Sequence, residues 1–256
     1  AYRRADVVIA SVQSLSRPRR LAKWKPDYFN LVVVDEAHHA TADSYTRILR
    51  HLEAVQPGGP LLLGVTATPY RGDSTTLANV FDQVVYEQPL VDMIEAGWLT
   101  RIRAQRIRST TDIGGVHMRT GDLAENELAE AVNTDERNSL ICSAIEDHAK
   151  DRRTILVFCV NVRHVEDLTR QLAERGHTAE GVVGRTNSQD RSGAILRARS
   201  GATRILVNCG VFTEGFDLPA VDCIVMARPT RSPLLYAQML GRGCRTSPDT
   251  GKRDVL

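Results

Sequence analysis

Short apolar runs alternate with amphipathic segments along most of this 256-residue chain. Such alternation is typical of β-α units, in which helices connect and cover the strands of a parallel sheet. The predicted strands cover residues 7–10, 31–35, 61–66, 154–159, 179–183, 204–208 and 223–227. The predicted helices cover residues 162–175, 187–199 and 233–241. We therefore expect an α/β fold with mainly parallel sheets.

The chain is long enough for two ordinary domains, and the alternating pattern weakens near its middle. Residues 110–121 are rich in glycine, threonine and aspartate, which is typical of a connecting segment. We place the boundary near residue 112, so that residues 1–112 and 113–256 form separate domains. The first apolar run starts close to Ala1 and another lies at the last residues, so we expect the chain to be a fragment.

The composition is ordinary for a globular protein, with 42% hydrophobic and 25% charged residues. The net charge is only +2, so nucleic-acid binding would depend on local basic patches. No apolar run is long enough to span a membrane, and we expect no membrane partner. The five cysteines form no C-x-x-C pair and lie mostly in apolar runs. They predict buried, reduced thiols in an intracellular protein of the cytoplasm, nucleoid or nucleus.

The apolar run Leu31–Val34 ends directly on Asp35, Glu36, Ala37 and His38. An unbroken apolar run predicts a strand buried on both faces, and ligand sites in α/β sheets gather where such strands end. Asp35 can hold Mg²⁺ through its waters, and Glu36 can orient or deprotonate an attacking water. The same residues also suit an ordinary helix start, because acids favour helix N-termini. The quartet alone leaves both interpretations open.

Three further motifs follow this quartet in order along the chain. They read GVTATPYR at 64–71, TEGFD at 213–217 and QMLGRGCR at 238–245. In this order and at this spacing, the four segments resemble motifs II, III, V and VI of the superfamily 2 helicases and translocases. The DEAH and TATPYR forms look most like the group related to type I and III restriction translocases and XPB-type repair helicases. The resemblance extends over essentially the whole chain.

The resemblance implies two RecA-like lobes, the first lacking its N-terminal portion, and an ATPase that uses Mg²⁺ and moves on nucleic acid. It implies catalytic roles for Glu36, Arg242 and Arg245, the two arginines stabilising the transferring phosphoryl group. The residues implied to bind nucleotide and Mg²⁺ are Asp35, His38, Gly215, Asp217 and Gln238. Asp217 would contact the ribose or an arginine, and Gln238 would contact the nucleotide or His38. Thr66 and Thr68 would couple the nucleotide site to the second lobe.

Each of these segments also has an ordinary structural interpretation. Arg242 and Arg245 lie three residues apart, which sends both side chains to one side of a helix. Basic residues there would also stabilise a helix C-terminus through its dipole. Residues 66–68 could be a threonine-rich turn before Pro69, and residues 213–217 an ordinary strand-to-helix loop.

The resemblance also implies contacts with the nucleic-acid backbone. The candidates are Ser11, Gln13, Arg185 and Thr213. Small hydroxyl and amide side chains at strand ends suit phosphates, and they position a nucleic acid without reading its sequence. A basic cluster beside the first candidates could add salt-sensitive attraction or be a solvated surface. Its members are Arg17, Arg19, Arg20, Lys23 and Lys25. We expect Phe158, Trp24 and Trp98 to be packing residues.

The 256 residues contain no phosphate-binding loop of the form G-x-x-x-x-G-K followed by Ser or Thr. We therefore expect this chain, by itself, to be catalytically inactive or nearly so. The alternative is a non-hydrolytic nucleic-acid-binding or scaffolding module with a helicase-like fold. The presence of both the acids and the arginines argues against that alternative. The sequence does not distinguish DNA from RNA, and it does not identify protein partners.

Overall fold

The computed structural model describes residues 5–67, 77–119, 121–213 and 216–256. The chain divides into two compact units, Ala1–Glu87 and Gln88–Leu256. Parallel strands joined by helices dominate both units. The predicted α/β fold class with mainly parallel sheets is therefore confirmed.

The first unit is built around two parallel strands, β1 (Leu31–Asp35) and β2 (Leu61–Val65). Its helices are α1 (Val12–Leu15), α2 (Pro18–Leu21) and α3 (Asp43–His51). Short 3₁₀ turns cover Pro26–Tyr28, Ala37–His39 and Leu77–Asn79. Alternate residues of β1, such as Val34, pack against a small core that includes Ala37, Ala40 and Leu49.

The other face of β1 is exposed, at Leu31 and Val33, so the prediction of a strand buried on both faces is wrong for the described residues. Residues 7–10, predicted as a strand, have no strand conformation. Val7 and Ile9 are 77% and 95% exposed, and no described strand pairs with them. An apolar run alone does not make a strand, because its backbone N–H and C=O groups need a partner.

The second unit contains a four-stranded parallel sheet in the order β7-β8-β6-β9. These strands are β6 (Ile155–Phe158), β7 (Ala179–Val182), β8 (Ile205–Asn208) and β9 (Cys223–Met226). Its longer helices are α5 (Glu125–Val132), α6 (Asp135–His148), α7 (Val162–Glu174), α8 (Ser188–Ser200) and α9 (Pro233–Cys244). Strands β6 and β8 are completely buried, as expected for a parallel sheet covered on both faces.

Shorter elements complete the second unit. They are α4 (Leu90–Glu95), β3 (Arg101–Ile102), β4 (Met118–Arg119), β5 (Asp122–Leu123) and β10 (Asp254–Val255). Strand β3 pairs in parallel with β10, and the Ile224 amide donates a 2.7 Å hydrogen bond to the Leu256 carbonyl. The first compact unit ends at Glu87 and the second starts at Gln88, whereas the domain boundary near residue 112 stays a prediction. The partners of residues 99–103 lie more than a hundred residues later, which composition does not show.

The predicted packing roles are only partly correct. All five cysteines are free, with Cys209 partly exposed and the other four buried. Phe158 is buried in the core, and Trp24 packs against the rings of Tyr28 and Phe29. Trp98, however, is 74% exposed, so its prediction as a packing residue is wrong. In the described part of the chain, no helix is both long and apolar enough to cross a membrane.

A buried histidine joins α6 to the end of β6. His164 Nε2 lies 3.1 Å from Asn138 Oδ1, and the Val160 amide donates a 3.4 Å hydrogen bond to His164 Nδ1. One ring nitrogen donates and the other accepts, which only a neutral imidazole can do. Burial, assisted by the nearby charge of Arg137 and opposed by Asp167, lowers the pKa of His164 to about 4.

This arrangement predicts a loss of stability on mild acidification. Between pH 6.5 and 4 the unfolded chain binds a proton at His164 that the folded chain does not, so stability falls as the pH falls. From pH 7 to pH 5 the loss at this residue should be about 2 kcal/mol. Urea unfolding of wild type and His164→Gln at both pH values isolates the contribution of His164 to this loss, because glutamine does not titrate. Equal losses in the two proteins would contradict the assignment.

Candidate functional site

The acidic quartet and the first threonine of TATPYR lie at one edge of the first unit's sheet. Parallel pairing places Asp35 opposite Val65, so β1 and β2 end side by side. The Glu36 amide donates a 2.9 Å hydrogen bond to Asp35 Oδ1. Glu36 has left-handed backbone angles (φ 50°, ψ 49°), which are uncommon for a residue with a Cβ. The backbone therefore turns sharply at the point where the two carboxylates stand.

His38 connects the acidic residues to the threonine. It is only 1% exposed, and its Nδ1 lies 3.0 Å from Thr66 Oγ1 and 3.4 Å from Glu36 Oε2. The ring also lies 4.1 Å from that of His39, centroid to centroid. The structure thus brings together Glu36, His38 and Thr66, three of the predicted site residues. Thr68 lies outside the described residues.

Gly64, which the sequence did not single out, allows this turn to pack on β2. A Cβ added at Gly64 would lie 2.5 Å from Phe81 Cζ and 2.9 Å from the Ala37 Cβ. Both distances are shorter than real Cβ contacts, so a larger residue would displace its neighbours. Ala37 lies between Glu36 and His38, two of the candidate site residues. Close packing at Gly64 therefore fixes the position of the acidic turn.

In the second unit, the two predicted arginines converge on one backbone carbonyl. Arg242 lies in the last turn of α9, and Arg245 follows its end in an extended conformation. Their Nη1 atoms lie 2.7 Å and 3.3 Å from the Phe216 carbonyl oxygen. Arg245 also forms an ion pair with Asp217. The last two motifs are thus joined through Phe216, whose carbonyl the sequence analysis did not identify.

Of the remaining predicted nucleotide residues, the structure describes Gln238 and not Gly215. Gln238 lies in α9, one turn before Arg242, and is partly buried. Gly215 lies outside the described residues. Within the described parts of the chain, no group of three or more histidines, cysteines or acids has the arrangement of a metal cluster.

The predicted nucleic-acid residues are spread over both units. Ser11 caps α1, with its Oγ 3.3 Å from the Ser14 amide, and Gln13 is exposed. Arg185 forms an exposed ion pair with Glu166. Thr213 is partly exposed in the loop after β8. The basic cluster is exposed throughout, at Arg17, Arg19, Arg20, Lys23 and Lys25.

Two family models match the parts of the chain that hold these residues. Residues 136–247 match the helicase conserved C-terminal domain, and residues 1–71 match the type III restriction enzyme, res subunit. These matches confirm the resemblance of the chain to the superfamily 2 helicases related to the restriction translocases. This family is the one that the four motifs indicated.

Two curated relatives carry names that assign them to the ATP-dependent helicases. IRC3 of Saccharomyces cerevisiae is 35% identical over 244 residues, which are 94% of this chain and 35% of that protein. The mitochondrial irc3 of Schizosaccharomyces pombe is 38% identical over 253 residues, or 98% of this chain and 41% of that protein. The chain thus spans roughly a third to two fifths of the length of these relatives.

A solved structure confirms the fold. It is a fragment assigned to an HsdR subunit of a type I restriction enzyme from Vibrio vulnificus YJ016. It superposes with a TM-score of 0.74 and 24% identity, covering 93% of this chain and 45% of that chain. The expected RecA-like α/β architecture is therefore confirmed.

The close packing at Gly64 gives a testable prediction. Gly64→Ala should lower the free energy of unfolding by about 1–3 kcal/mol, because the new methyl group overlaps Phe81 and Ala37. Gly115→Ala is the control, since a Cβ there meets no atom within 4 Å. Urea unfolding of both variants measures the difference. A Gly64→Ala protein as stable as the control would show that Phe81 and Ala37 move aside easily.

Proposed function

We propose that this chain forms the core of an ATP-dependent helicase or translocase, which hydrolyses ATP to move on nucleic acid. The observation that supports this most is local geometry: Glu36 shares His38 with Thr66, and Arg242 and Arg245 share one carbonyl. These contacts join motif II to motif III and motif V to motif VI. A domain that had lost ATP hydrolysis would not need these contacts between the motifs.

We assign the two domains as the portions of a helicase core. The first domain would be the C-terminal portion of the ATP-binding domain. Composition places it at residues 1–112, and the first compact unit covers Ala1–Glu87. The remainder would be the helicase C-terminal domain. The family models support this division, because they match residues 1–71 and 136–247 separately.

Asp35 would hold Mg²⁺, mainly through water. Mg²⁺ is usually bound by one or two carboxylates together with substrate phosphates, and seldom by a cage made only of protein. The exposed Asp35 carboxylate at a strand end fits that mode, as does the lack of a larger acidic cluster among the described residues. When bound, the ion would neutralise charge on the phosphates. Asp217 and Gln238, with Gly215, would bind the rest of the nucleotide.

Glu36 would act as the general base, accepting a proton from the attacking water. His38 lies 3.4 Å from its Oε2, which fixes the direction of the carboxylate. Through its 3.0 Å contact with Thr66, His38 would also link the position of this carboxylate to motif III. Thr66 and Thr68 would couple the nucleotide site to the second lobe.

Arg242 and Arg245 would stabilise the transferring phosphoryl group of ATP. Guanidinium groups are permanently charged and can bind two oxygens at once, which suits a transferring phosphoryl group. Phosphate oxygens would compete with the Phe216 carbonyl and with Asp217 for these donors. An exposed ion pair such as Arg245–Asp217 is worth little, so exchanging it costs little.

Nucleic acid would bind through backbone contacts. Ser11, Gln13, Thr213 and Arg185 are the candidates, with the basic cluster from Arg17 to Lys25 beside the first two. Arg185 would exchange its exposed partner Glu166 for a phosphate. Such contacts position the strand without reading its sequence, and their strength falls with salt concentration.

The decisive experiment is ATP hydrolysis by the complete gene product, with duplex DNA, single-stranded DNA or RNA added. We expect one nucleic acid to stimulate turnover, and Glu36→Gln to lower kcat by at least about 100-fold while ATP still binds. Glu174→Gln is the matched control, an exposed glutamate on α7.

Two results would contradict this proposal. Turnover retained by Glu36→Gln would exclude this residue as the base. A folded wild-type protein that binds nucleic acid but hydrolyses no ATP under any of these conditions would favour a non-hydrolytic module instead.

A further inference from the structure

Lys252 lies just before β10, where Gly251 turns the chain with a left-handed φ of 68°. Its ammonium group donates three hydrogen bonds to backbone carbonyls, at 3.0 Å to Pro219, 2.6 Å to Gly243 and 2.7 Å to Arg245. An ammonium group has three N–H donors, so all of them are used. We call this arrangement the Lys252 clamp.

The three carbonyls belong to the two segments that carry the arginine site. Gly243 and Arg245 surround the end of α9, and Pro219 follows Asp217 by two residues. The last carbonyls of a helix have no partner within the helix, and the dipole there favours a cation. A single lysine therefore caps α9 and ties it to the loop that holds the Phe216 carbonyl.

Close packing at Gly243 also holds the end of α9. A Cβ added at Gly243 would lie 2.5 Å from Val255 Cγ2 and 2.8 Å from Ile224 Cγ1. The end of α9 thus rests directly on β9 and β10. The Thr100 amide donates a 2.8 Å hydrogen bond to the Cys244 carbonyl, between the two carbonyls that Lys252 binds. Three successive carbonyls at the arginine site are therefore held by tertiary contacts.

We infer that Lys252 is a positioning residue for ATP hydrolysis, which holds Arg242 and Arg245 at a fixed place relative to the Phe216–Pro219 segment. This inference rests on the proposed function. The lysine need not touch the nucleotide. It acts on the rate through the two arginines, because a guanidinium displaced by about 1 Å can cost about 100-fold in rate.

The charge on Lys252 is open to titration. Burial lowers the pKa of Lys252 to about 8. Asp222 and Cys244 favour the charged form, and Arg152 and Arg245 disfavour it. The neutral amine has two N–H donors for three carbonyls, so one bond of the clamp is lost as the pH rises through about 8.

The test measures ATP hydrolysis by the complete gene product. Lys252→Met should lower kcat by about 10- to 100-fold with little change in the KM for ATP, because the loss falls on the transition state. Lys252→Arg keeps a cation with several donors and should recover part of the rate. Lys150→Met is the matched control, an exposed lysine that should leave kcat unchanged.

A pH profile separates positioning from simple stabilisation. Wild-type kcat should fall with a midpoint near pH 8, whereas Lys252→Arg should stay level there because a guanidinium remains charged. Circular dichroism melts check that each variant folds. If Lys252→Met does not fold, Lys252→Gln, which keeps two N–H donors, takes its place.

The inference is overturned if a folded Lys252→Met or Lys252→Gln protein keeps wild-type kcat, or if wild type and Lys252→Arg have the same pH profile. Glu36→Gln, run alongside, distinguishes this result from a failure of the proposed function. If Glu36→Gln abolishes turnover and the Lys252 variants do not, the proposed function stands and only the clamp's role is rejected.

Discussion

Parallel strand pairing is the constraint on which the candidate residues of each unit depend. In a parallel sheet all strands end at the same edge, so whatever follows them is brought together. Asp35 and Glu36 follow β1, and Thr66 follows β2. In the second unit, the loop with Phe216 and Asp217 follows β8, and the helix with Arg242 follows β9. The candidate residues of each unit therefore follow strand ends, although the motifs are far apart in sequence.

The candidate residues of the two units are held by different interactions. In the first unit a buried histidine bridges a carboxylate and a hydroxyl, and a glycine permits the close packing beneath them. In the second unit the guanidinium groups of Arg242 and Arg245 contact one backbone carbonyl, and Arg245 also pairs with Asp217. A carbonyl oxygen carries only a partial charge, so the Phe216 contact itself orients a guanidinium without neutralising it.

Local patterns in the sequence predicted the parts of the fold that local patterns control. The strand at 31–35 and the helix from Pro233 were both found, because apolar runs and caps lie within a few residues. Residues 7–10 were wrongly predicted as a strand, because no described strand pairs with them. Contacts over long sequence separations were not visible at all. The contact of Gly64 with Phe81 and that of Lys252 with Pro219 both depend on tertiary packing.

The left-handed backbone at Glu36 has a consequence for engineering. A residue with a Cβ in this conformation costs roughly 1–2 kcal/mol relative to an ordinary one, and glycine would not bear that cost. Glycine would also remove the carboxylate proposed as the base. At residue 36, the glycine that would remove the backbone cost would therefore also remove the proposed general base. A library selected only for heat resistance would enrich substitutions at residue 36 that raise stability and remove the proposed general base.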